Sequence, residues 1–449
     1  MKTESAARDP SQIPGGLRLN YRRNPIKVLS DAARKYGDVC YVSLGKARFY
    51  LLSNPSYIQR VLDVDHRQTT KGPYMQRWRR LLGQGLVASE GDLHHRQRRL
   101  IIPAFHNQRI RAYAEVVGDY TSKVTAGWKD GEVLDIHKEM ARLTLSVIAK
   151  TLFGADIWSE SDWVGEALSD SIDYYDRLGG PTGRIIGKLP LPESRRYERA
   201  ERRLNSLVYK IIGERRVSGR DEGDMLSMLL SAESKGEGVM TDSQVRDETI
   251  TFILVGHETT AVALSWTWYL LSGSPAVEAK LHDEVDRVLE GGRGATMADI
   301  PNLTYTNKVL TESMRIFPPI WVIGRTPTKD YSIGGYVIPS RSIVLMSQYV
   351  AHHDPRFYPK PDLFNPDRWT PEMEASLPKY AYFPFGGGPR ACIGESFAWM
   401  EATLVLASIA RRWRLIHDPT HRVMMAPKIT LRPKNGMRMK VVRRPPSPA

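Results

Sequence analysis

The chain has very few cysteines, which excludes two classes of stabilised fold. Cys40 and Cys392 are the only two in 449 residues, and no CxxC pair occurs. A disulfide framework or a cysteine-rich zinc site needs more thiols at closer spacing. So little cysteine is typical of a reducing cytosol. Cys40 lies in the apolar run 39–44, which predicts a small buried side chain there.

An apolar N-terminal run is also missing. The first residues, MKTESAARDPSQIPGG, contain neither the apolar region of a signal peptide nor a membrane anchor. No Ser/Gly/Pro-rich linker and no repeat divides the chain. We therefore expect a disordered segment at 1–13, a single domain at 14–449 and a cytoplasmic location.

One stretch, 250–271, has the length of a membrane span. Glu258 lies at its middle, where an acid costs about 2.5–3.5 kcal/mol in a bilayer. The stretch is better interpreted as a long central helix of a soluble core.

The charge balance is basic, with a net charge of +14. Nucleic acid, anionic lipid or an acidic protein could each explain this excess. The chain contains no basic stripe interleaved with aromatics and no known nucleic-acid motif. We expect no nucleic-acid partner.

The order of predicted elements indicates a mainly helical protein with a small β region. The sequence predicts a hairpin from strands 38–44 and 48–53, mostly helix over 94–220 with a Pro/Gly-rich break at 179–192, one long helix over 241–272, and another over 302–316. Short strands follow at 331–333, 336–338 and 342–347, then an irregular stretch over 352–388, a helix after Cys392 and a final strand pair.

The most informative motif is the glycine-rich run 385–394, FGGGPRACIG, which places Cys392 just before an amphipathic segment. A thiol at a helix N-terminus has a lowered pKa and favours the thiolate form. A thiolate on a rigid loop can be an axial ligand of haem iron. For the motif alone, a cysteine in an ordinary turn remains the alternative.

A second motif, GHETTA at 256–261, begins like a zinc-binding HExxH but has Ala261 at the second histidine position. Zinc would lack that ligand, so this metal site is excluded. What remains is Gly256, Glu258 and Thr259 inside an otherwise apolar helix. Gly256 would let a flat ligand approach, and Glu258 would relay protons. A kinked helix with satisfied polar groups is the alternative.

Two further patterns gain weight only in combination. Glu312 and Arg315 have i,i+3 spacing on one helix face, and Arg368 could complete a buried cluster with them. His94 and Arg98 have i,i+4 spacing and could grip an anionic cofactor, as could Arg325 and Arg390. Surface ion pairs and a solvated basic helix are the respective alternatives.

Together and in this chain order, the four segments resemble the cytochrome P450 family over nearly the whole chain. The resemblance implies the mainly helical P450 fold with a small β region as one domain. It implies that Cys392 is the axial thiolate, with Phe385 near its sulfur and Gly394 allowing close approach of haem b. His94, Arg98, Arg325 and Arg390 would bind the propionates. Glu312, Arg315 and Arg368 would form the structural cluster, and Glu258 and Thr259 the acid–alcohol pair that supplies protons.

The resemblance further implies an enzyme that inserts one oxygen atom from O₂ into a hydrophobic substrate, such as a fatty acid, terpenoid, steroid or polyketide. Electrons from NAD(P)H would arrive through a separate acidic ferredoxin or flavodoxin with its reductase, and the enzyme would be a monomer. Substrate-facing stretches are expected at 74–87, 172–192, 250–255, 319–323 and 424–427. The pocket candidates are Tyr74, Val87, Val255, Trp321 and Met425. Val255 departs from the family's usual alanine and narrows the expected pocket.

Two rival functions fit parts of this pattern. A haem-thiolate peroxygenase or isomerase needs no external electrons, but such relatives usually lack the pair formed here by Glu258 and Thr259. A basic nucleic-acid-binding or haem-sensing protein is the non-enzymatic alternative. If His94 and Arg98 face the haem, Arg96 and Arg99 point elsewhere and would dock the acidic electron donor.

Overall fold

The structure is a computed structural model that describes residues 9–19, 24–178, 192–231 and 240–445. The chain divides into two units, one comprising Met1–Gln76 with Met314–Cys392 and the other Arg77–Ser313 with Ile393–Ala449.

Helices account for most of the described chain. They are α1 Pro25–Tyr36, α2 Pro55–Gln59, α3 Gly72–Leu82, α4 Gly91–Ile101, α5 Asn107–Ala126, α6 Ile136–Phe153, α7 Ser161–Leu178, α8 Pro192–Ser218, α9 Met225–Ser231, α10 Asp242–Ser272, α11 Pro275–Val288, α12 Thr304–Ile316, α13 Gln348–His352, α14 Pro371–Ser376 and α15 Glu395–Arg412.

Short strands make up the β region. They are β1 Gly15–Arg18, β2 Val39–Leu44, β3 Ala47–Leu52, β4 Thr69–Thr70, β5 Val133–Asp135, β6 Ile323–Pro327, β7 Tyr331–Ile333, β8 Tyr336–Ile338, β9 Ile343–Met346, β10 Trp413–His417, β11 Met425–Pro427, β12 Leu431–Pro433 and β13 Arg438–Arg443.

The first unit is organised around a six-stranded sheet in the order β1-β2-β3-β9-β6-β4. The predicted hairpin is its centre: β2 and β3 pair antiparallel from Val39↔Leu52 to Leu44↔Ala47. Gly45 supplies the positive φ of 60° that the tight connection needs. The sheet packs on a hydrophobic core that includes Ile13.

The N-terminal prediction needs correction. Residues Pro10–Gln12 form a 3-10 helix and Ile13 is buried, although we expected disorder up to residue 13. An apolar side chain that enters a core orders the chain around it, which polar composition alone does not reveal. Residues 1–8 lie outside the described part of the chain.

The second unit is built around α10, the predicted central helix. It begins with a capping box between Thr241 and Gln244, which satisfies the first backbone donors. Its apolar side chains are buried nearly all round, and its most extensive packing is against α6. Among the described helices, none combines the length and the apolarity needed to cross a membrane.

Several short strands were not predicted from the sequence, among them β1, β5 and β6. β1 pairs in parallel with β2, β5 pairs with β13 inside a region predicted to be mostly helical, and β6 pairs with β9. Strands of three to five residues are too short to show a clear alternating pattern. Whether they form depends on the strands far along the chain with which they pair. The predicted break at 179–192 falls almost entirely outside the described residues.

Candidate active site

The loop from Phe385 to Cys392 is held in shape by glycines with no room for a side chain. A Cβ on Gly387 would lie 2.1 Å from the Tyr380 ring. A Cβ on Gly388 would lie 2.0 Å from the carbonyl oxygen of Leu62, and Gly388 also has a φ of 62°. The glycine-rich sequence is therefore required by a close approach of backbone and ring.

Cys392 closes this loop, since its backbone N–H donates to the Phe385 carbonyl at 2.9 Å. Its side chain is exposed, whereas Cys40 is fully buried as predicted. Burial raises the pKa of the Cys40 thiol to about 12, so that sulfur is inert. Cys392 is the cysteine whose sulfur can be reached.

This donor set fits haem better than a bare metal ion. The described residues hold no group of three or more His, Cys, Asp or Glu side chains that could bind a metal. A single accessible cysteine suits an iron that takes its other ligands from a porphyrin rather than from protein side chains.

Arg315 and Arg368 converge on one carbonyl in the first unit. Arg315 donates from Nη2 to the Leu363 carbonyl at 3.3 Å, and Arg368 donates from its own Nη2 to the same oxygen at 3.2 Å. Arg315 is fully buried and also donates from Nη1 to the His352 carbonyl at 2.9 Å. Two of the three predicted cluster members therefore share a partner.

His352 connects this cluster to the chain leading into the cysteine loop. Its Nε2 accepts the backbone N–H of Phe383 at 3.0 Å, two residues before the loop begins. Burial holds the pKa of His352 well below its usual range, so the ring is neutral and can accept. The sequence analysis missed His352, which lay in an irregular stretch without a periodic pattern.

Glu312, the third predicted cluster member, is fully buried on α12. An isolated buried carboxylate is costly, so its burial is consistent with a charged partner. Its pairing with Arg315 remains a prediction.

The four residues predicted to bind propionates lie on three elements. Arg325 is on β6, which borders the cysteine loop, because a Cβ on Gly386 would lie 3.5 Å from Ile323 Cδ1. Arg390 ends a 3-10 helix within the loop. On α4, His94 is buried and Arg98 half-buried, while Arg96 and Arg99 are exposed.

Glu258 on α10 is held by the C-terminal hairpin of strands β11 and β12. Thr430 Oγ1 donates to its carboxylate at 2.8 Å, and Arg432 Nε donates to the same oxygen. Burial alone would raise the pKa of Glu258, but the positive charge of Arg432, the largest opposing cause, helps to lower it to about 2. The acid is therefore ionised throughout the physiological range.

Thr259 has a different environment from the adjacent acid. Its Oγ1 donates to the Val255 carbonyl at 2.9 Å, one helical turn earlier, and the side chain is half-buried. Back-bonding of this kind occupies the hydroxyl proton and leaves the oxygen lone pairs able to accept. Successive helical residues point in different directions, so Glu258 and Thr259 do not share a face.

Two histidines accompany Glu258, of which His257 is buried and His137 half-buried. His257 Nδ1 lies 2.6 Å from the Ile253 carbonyl, and its Nε2 lies 3.8 Å from the Glu258 carboxylate. His137 on α6 bonds the Ser265 hydroxyl at 3.1 Å. Burial lowers the pKa of both rings, so they are neutral near pH 7 and Arg432 supplies the positive charge.

Gly256 has a packing role that the sequence analysis did not foresee. A Cβ there would lie 2.8 Å from Ile148 Cδ1, so the missing side chain lets α10 and α6 approach closely. The predicted approach of a flat cofactor to Gly256 remains a prediction. Its neighbour Val255 is half-buried.

A buried acid on α15, Glu401, was also missed. It is fully buried. Burial raises the pKa of Glu401 to about 8, so its carboxyl is mostly protonated at neutral pH. A lone acid inside an otherwise apolar helix is the sequence feature that could have identified Glu401.

The predicted substrate-facing residues are distributed over several elements. Val87 and Met425 are half-buried and Trp321 is buried. Tyr74 belongs to α3, but its side chain lies outside the described residues.

The turn after α3 is anchored to α10 by charged side chains. Asp247 accepts the Gln84 N–H at 2.8 Å, and Glu248 accepts the Leu86 N–H at 2.9 Å. Arg246 donates to the Leu81 carbonyl at 2.8 Å. Three consecutive residues of α10 thus hold one segment of the predicted substrate-facing stretch.

Comparison with known proteins identifies the chain's relatives. The family model for cytochrome P450 matches residues 15–440. Cyclooctatin synthase of Streptomyces melanosporofaciens is 40% identical over 93% of this chain and 92% of its own. Cyclooctat-9-en-7-ol 5-monooxygenase of the same organism is 40% identical over 90% and 88%. Pentalenene oxygenase of Streptomyces avermitilis is 30% identical over 97% of each.

The fold agrees with these relatives. The crystal structure of the cytochrome P450DA heme domain superposes with a TM-score of 0.88 and 26% identity, covering 98% of this chain and 99% of that one. The predicted mainly helical fold with a small β region is confirmed. The chain belongs to the cytochrome P450 family, as a monooxygenase that uses haem b, O₂ and electrons delivered by a redox partner.

Proposed function

We propose that Cys392 is the thiolate ligand of the haem iron and that the enzyme oxygenates a terpenoid. The observation that supports the ligand is the exposed thiol at the end of a glycine-fixed loop. When bound, haem b supplies the activation of O₂ and the insertion of one oxygen atom. Cys392 lends electron density to that chemistry through its sulfur.

Arg315 and Arg368 would support the ligand through the chain that precedes its loop. Their shared carbonyl and the His352–Phe383 hydrogen bond hold the chain just before the cysteine loop. Glu312 would complete this structural cluster. These contacts would help to position the sulfur of Cys392 for the iron.

Four side chains bind the haem propionates in this proposal: His94, Arg98, Arg325 and Arg390. Guanidinium groups bind carboxylates bidentately, and the buried His94 can donate one hydrogen bond. Phe385 and Gly394 border the cofactor on the cysteine side, and Gly256 does so from α10.

Proton supply is the role of Glu258 and Thr259. In the observed arrangement, Glu258 is an ionised carboxylate bound to Arg432, so it cannot donate. We infer that rotation away from Arg432 lets Glu258 take up a proton from bulk solvent. Its carboxyl would then donate that proton, through water, to Thr259 Oγ1, whose own proton would go to the oxygen atom of O₂ that is released as water.

The substrate class is supported by the relatives and by the lining. Three relatives are named for terpenoid compounds or their oxidation, cyclooctatin, cyclooctat-9-en-7-ol and pentalenene. Four candidate lining residues are apolar or aromatic: Val87, Val255, Trp321 and Met425. These side chains suit a hydrocarbon skeleton better than a charged head group.

A binding panel tests the substrate class. Purified haem-loaded protein is titrated with polycyclic terpene hydrocarbons and alcohols, a long-chain fatty acid and a macrolide, while the Soret spectrum is followed. We expect a saturable shift with a terpenoid and product formation with a reconstituted donor. Tight binding and turnover of the fatty acid alone would contradict the terpenoid assignment.

We further propose an acidic ferredoxin or flavodoxin donor, a monomeric enzyme and a cytoplasmic location. Arg96 and Arg99 are exposed on α4, which suits a docking surface for an acidic protein. Charge reversal at both positions should slow reduction by the donor and flatten its salt dependence, while peroxide-driven turnover stays unchanged. A wild-type reduction rate would exclude this surface.

A further inference from the structure

An arginine-lined cleft lies in the second unit, where the C-terminal ends of α5, α11 and α15 meet the end of β13. Its volume is about 930 Å³. Five arginines and two acids line it, Arg287, Arg411, Arg412, Arg443, Arg444, Asp286 and Glu290. We call this the arginine cleft. None of these residues belongs to the haem or substrate machinery described above.

The acid Asp286 orients arginines more than it neutralises them. Its carboxylate accepts Arg411 Nη1 at 3.2 Å and both terminal nitrogens of Arg444 at 3.0 and 2.8 Å. One negative charge is thus divided between two guanidinium groups. The pair retains a net positive charge at a fixed position.

Backbone carbonyls fix the guanidinium groups without cancelling their charge. Arg411 donates from Nε to the Leu289 carbonyl at 3.2 Å, and this side chain is 7% exposed. Arg412 donates from Nε and Nη2 to the Gly292 carbonyl at 3.1 and 2.9 Å. A carbonyl satisfies an N–H but carries no full charge, so these groups are preorganised cations.

Arg443 is held in a different way, by stacking. Its guanidinium carbon lies 5.1 Å from the centre of the Trp413 ring. A stacked guanidinium keeps its N–H edge available for a planar or tetrahedral anion. Within the described residues, the Arg443 side chain makes no ion pair with an acid.

Helix C-termini alone do not account for this many arginines. Each C-terminus carries about half a negative charge, so three together carry about −1.5. The five arginines exceed the two lining acids by three charges. Roughly half of that excess therefore remains after the helix ends are compensated.

A neighbouring histidine reports the same positive environment. Burial and the charges of Arg444 and Arg414 lower the pKa of His282 to about 4, and Asp286 only partly opposes this. His282 lines a second depression that shares Arg443 and Arg444 with the arginine cleft.

We propose that the arginine cleft binds a small molecule bearing a diphosphate group. Guanidinium groups match phosphate oxygens bidentately, and a diphosphate offers enough oxygens for several arginines at once. A volume of about 930 Å³ lies within the range of small-molecule pockets. Free pyrophosphate and an organic diphosphate ester share this chemistry.

Calorimetric titration of the haem-loaded full-length protein with inorganic pyrophosphate tests the proposal. We expect saturable binding of pyrophosphate. The double variant Arg412→Gln/Arg443→Gln should weaken this binding about tenfold or more, since each substitution removes a charged hydrogen-bond donor. Arg195→Gln/Arg202→Gln is the matched control, because it removes two exposed arginines from α8. The control should bind as the wild type does. Arg287→Gln, at an exposed position, is a second cleft variant with little risk to folding.

Absence of saturable pyrophosphate binding would overturn the proposal, and so would equal weakening in the cleft and control variants. ADP in a parallel titration distinguishes the two sources. Tighter binding of ADP than of pyrophosphate would identify an organic diphosphate ester as the ligand. Equal binding of the two would show that the cleft recognises the diphosphate group alone. Binding to anionic phosphatidylglycerol vesicles without pyrophosphate binding would identify a lipid surface and contradict the diphosphate site.

Discussion

Arg432 donates from Nε to the carboxylate of Glu258, which lies 174 positions earlier in the chain. The strand β12 thereby places a positive charge next to the acid on the central helix. Because the pair is buried, the carboxylate of Glu258 depends on the charge of Arg432 to remain ionised. The proposed proton supply by Glu258 therefore requires this ion pair to open and close.

Replacement of Arg432 tests this dependence. In Arg432→Gln, burial of Glu258 is no longer opposed by that charge, so the pKa of Glu258 rises from about 2. We expect the fraction of electrons recovered in product to vary more with pH in this variant than in the wild type. The wild type should show no such dependence from this group. Arg438→Gln is the control, because Arg438 forms an ion pair with Asp418 instead. An unchanged pH profile in Arg432→Gln would refute the coupling between Arg432 and Glu258.

Cys392→Ser tests the proposed iron ligand. The variant should lose the red-shifted Soret band of the ferrous carbon monoxide complex, because that band depends on a thiolate ligand. Cys40→Ala is the matched control, since Cys40 is buried with a pKa raised to about 12, and it should keep the band. A normal band in Cys392→Ser would exclude Cys392 as the ligand.

Thr259→Ala tests the hydroxyl. Loss of Oγ1 removes the group that accepts and passes on protons, so the variant should consume NAD(P)H while it releases more peroxide and less product. Haem content and substrate binding should stay normal. Thr259→Ser keeps the hydroxyl and should restore coupling. Full coupling in the alanine variant would show that Thr259 carries no proton.

Glu401 gives a prediction for stability. Its folded-state pKa of about 8 exceeds the reference value of 4.5, so the folded protein holds a proton that the unfolded chain releases. Stability should therefore fall as pH rises from 4.5 to about 8, by at most about 1.4 kcal/mol per pH unit from this group. Glu401→Gln removes the titration and should flatten this part of the curve. Thermal melting of both proteins across the range measures the difference, and parallel curves would contradict it.

Local sequence patterns were sufficient for several parts of the molecule. The cysteine loop, the hairpin of β2 and β3, and the central helix α10 each follow from glycine spacing, turn residues or apolar length. The burial of Glu312 and Arg315 also agreed with their predicted cluster. In these cases residues that are close together in the sequence determine the local structure.

Other features depend on residues far apart in the chain. Nothing near Arg432 marks it as the partner of Glu258, and Gly256 serves the contact with Ile148 on another helix. The strands β1, β5 and β6 are short and form because a distant partner accepts their hydrogen bonds. Long-range pairing of this kind leaves no periodic signal in one sequence.

The backbone amides of Gln84 and Leu86 can report on how firmly the turn after α3 is held. Each is bonded to a carboxylate of α10, at Asp247 and Glu248 respectively. An amide exchanges its hydrogen with deuterated solvent only when such a bond opens. Mass-resolved deuterium uptake at these two positions therefore records how often this segment separates from the helix that carries the acid and the alcohol.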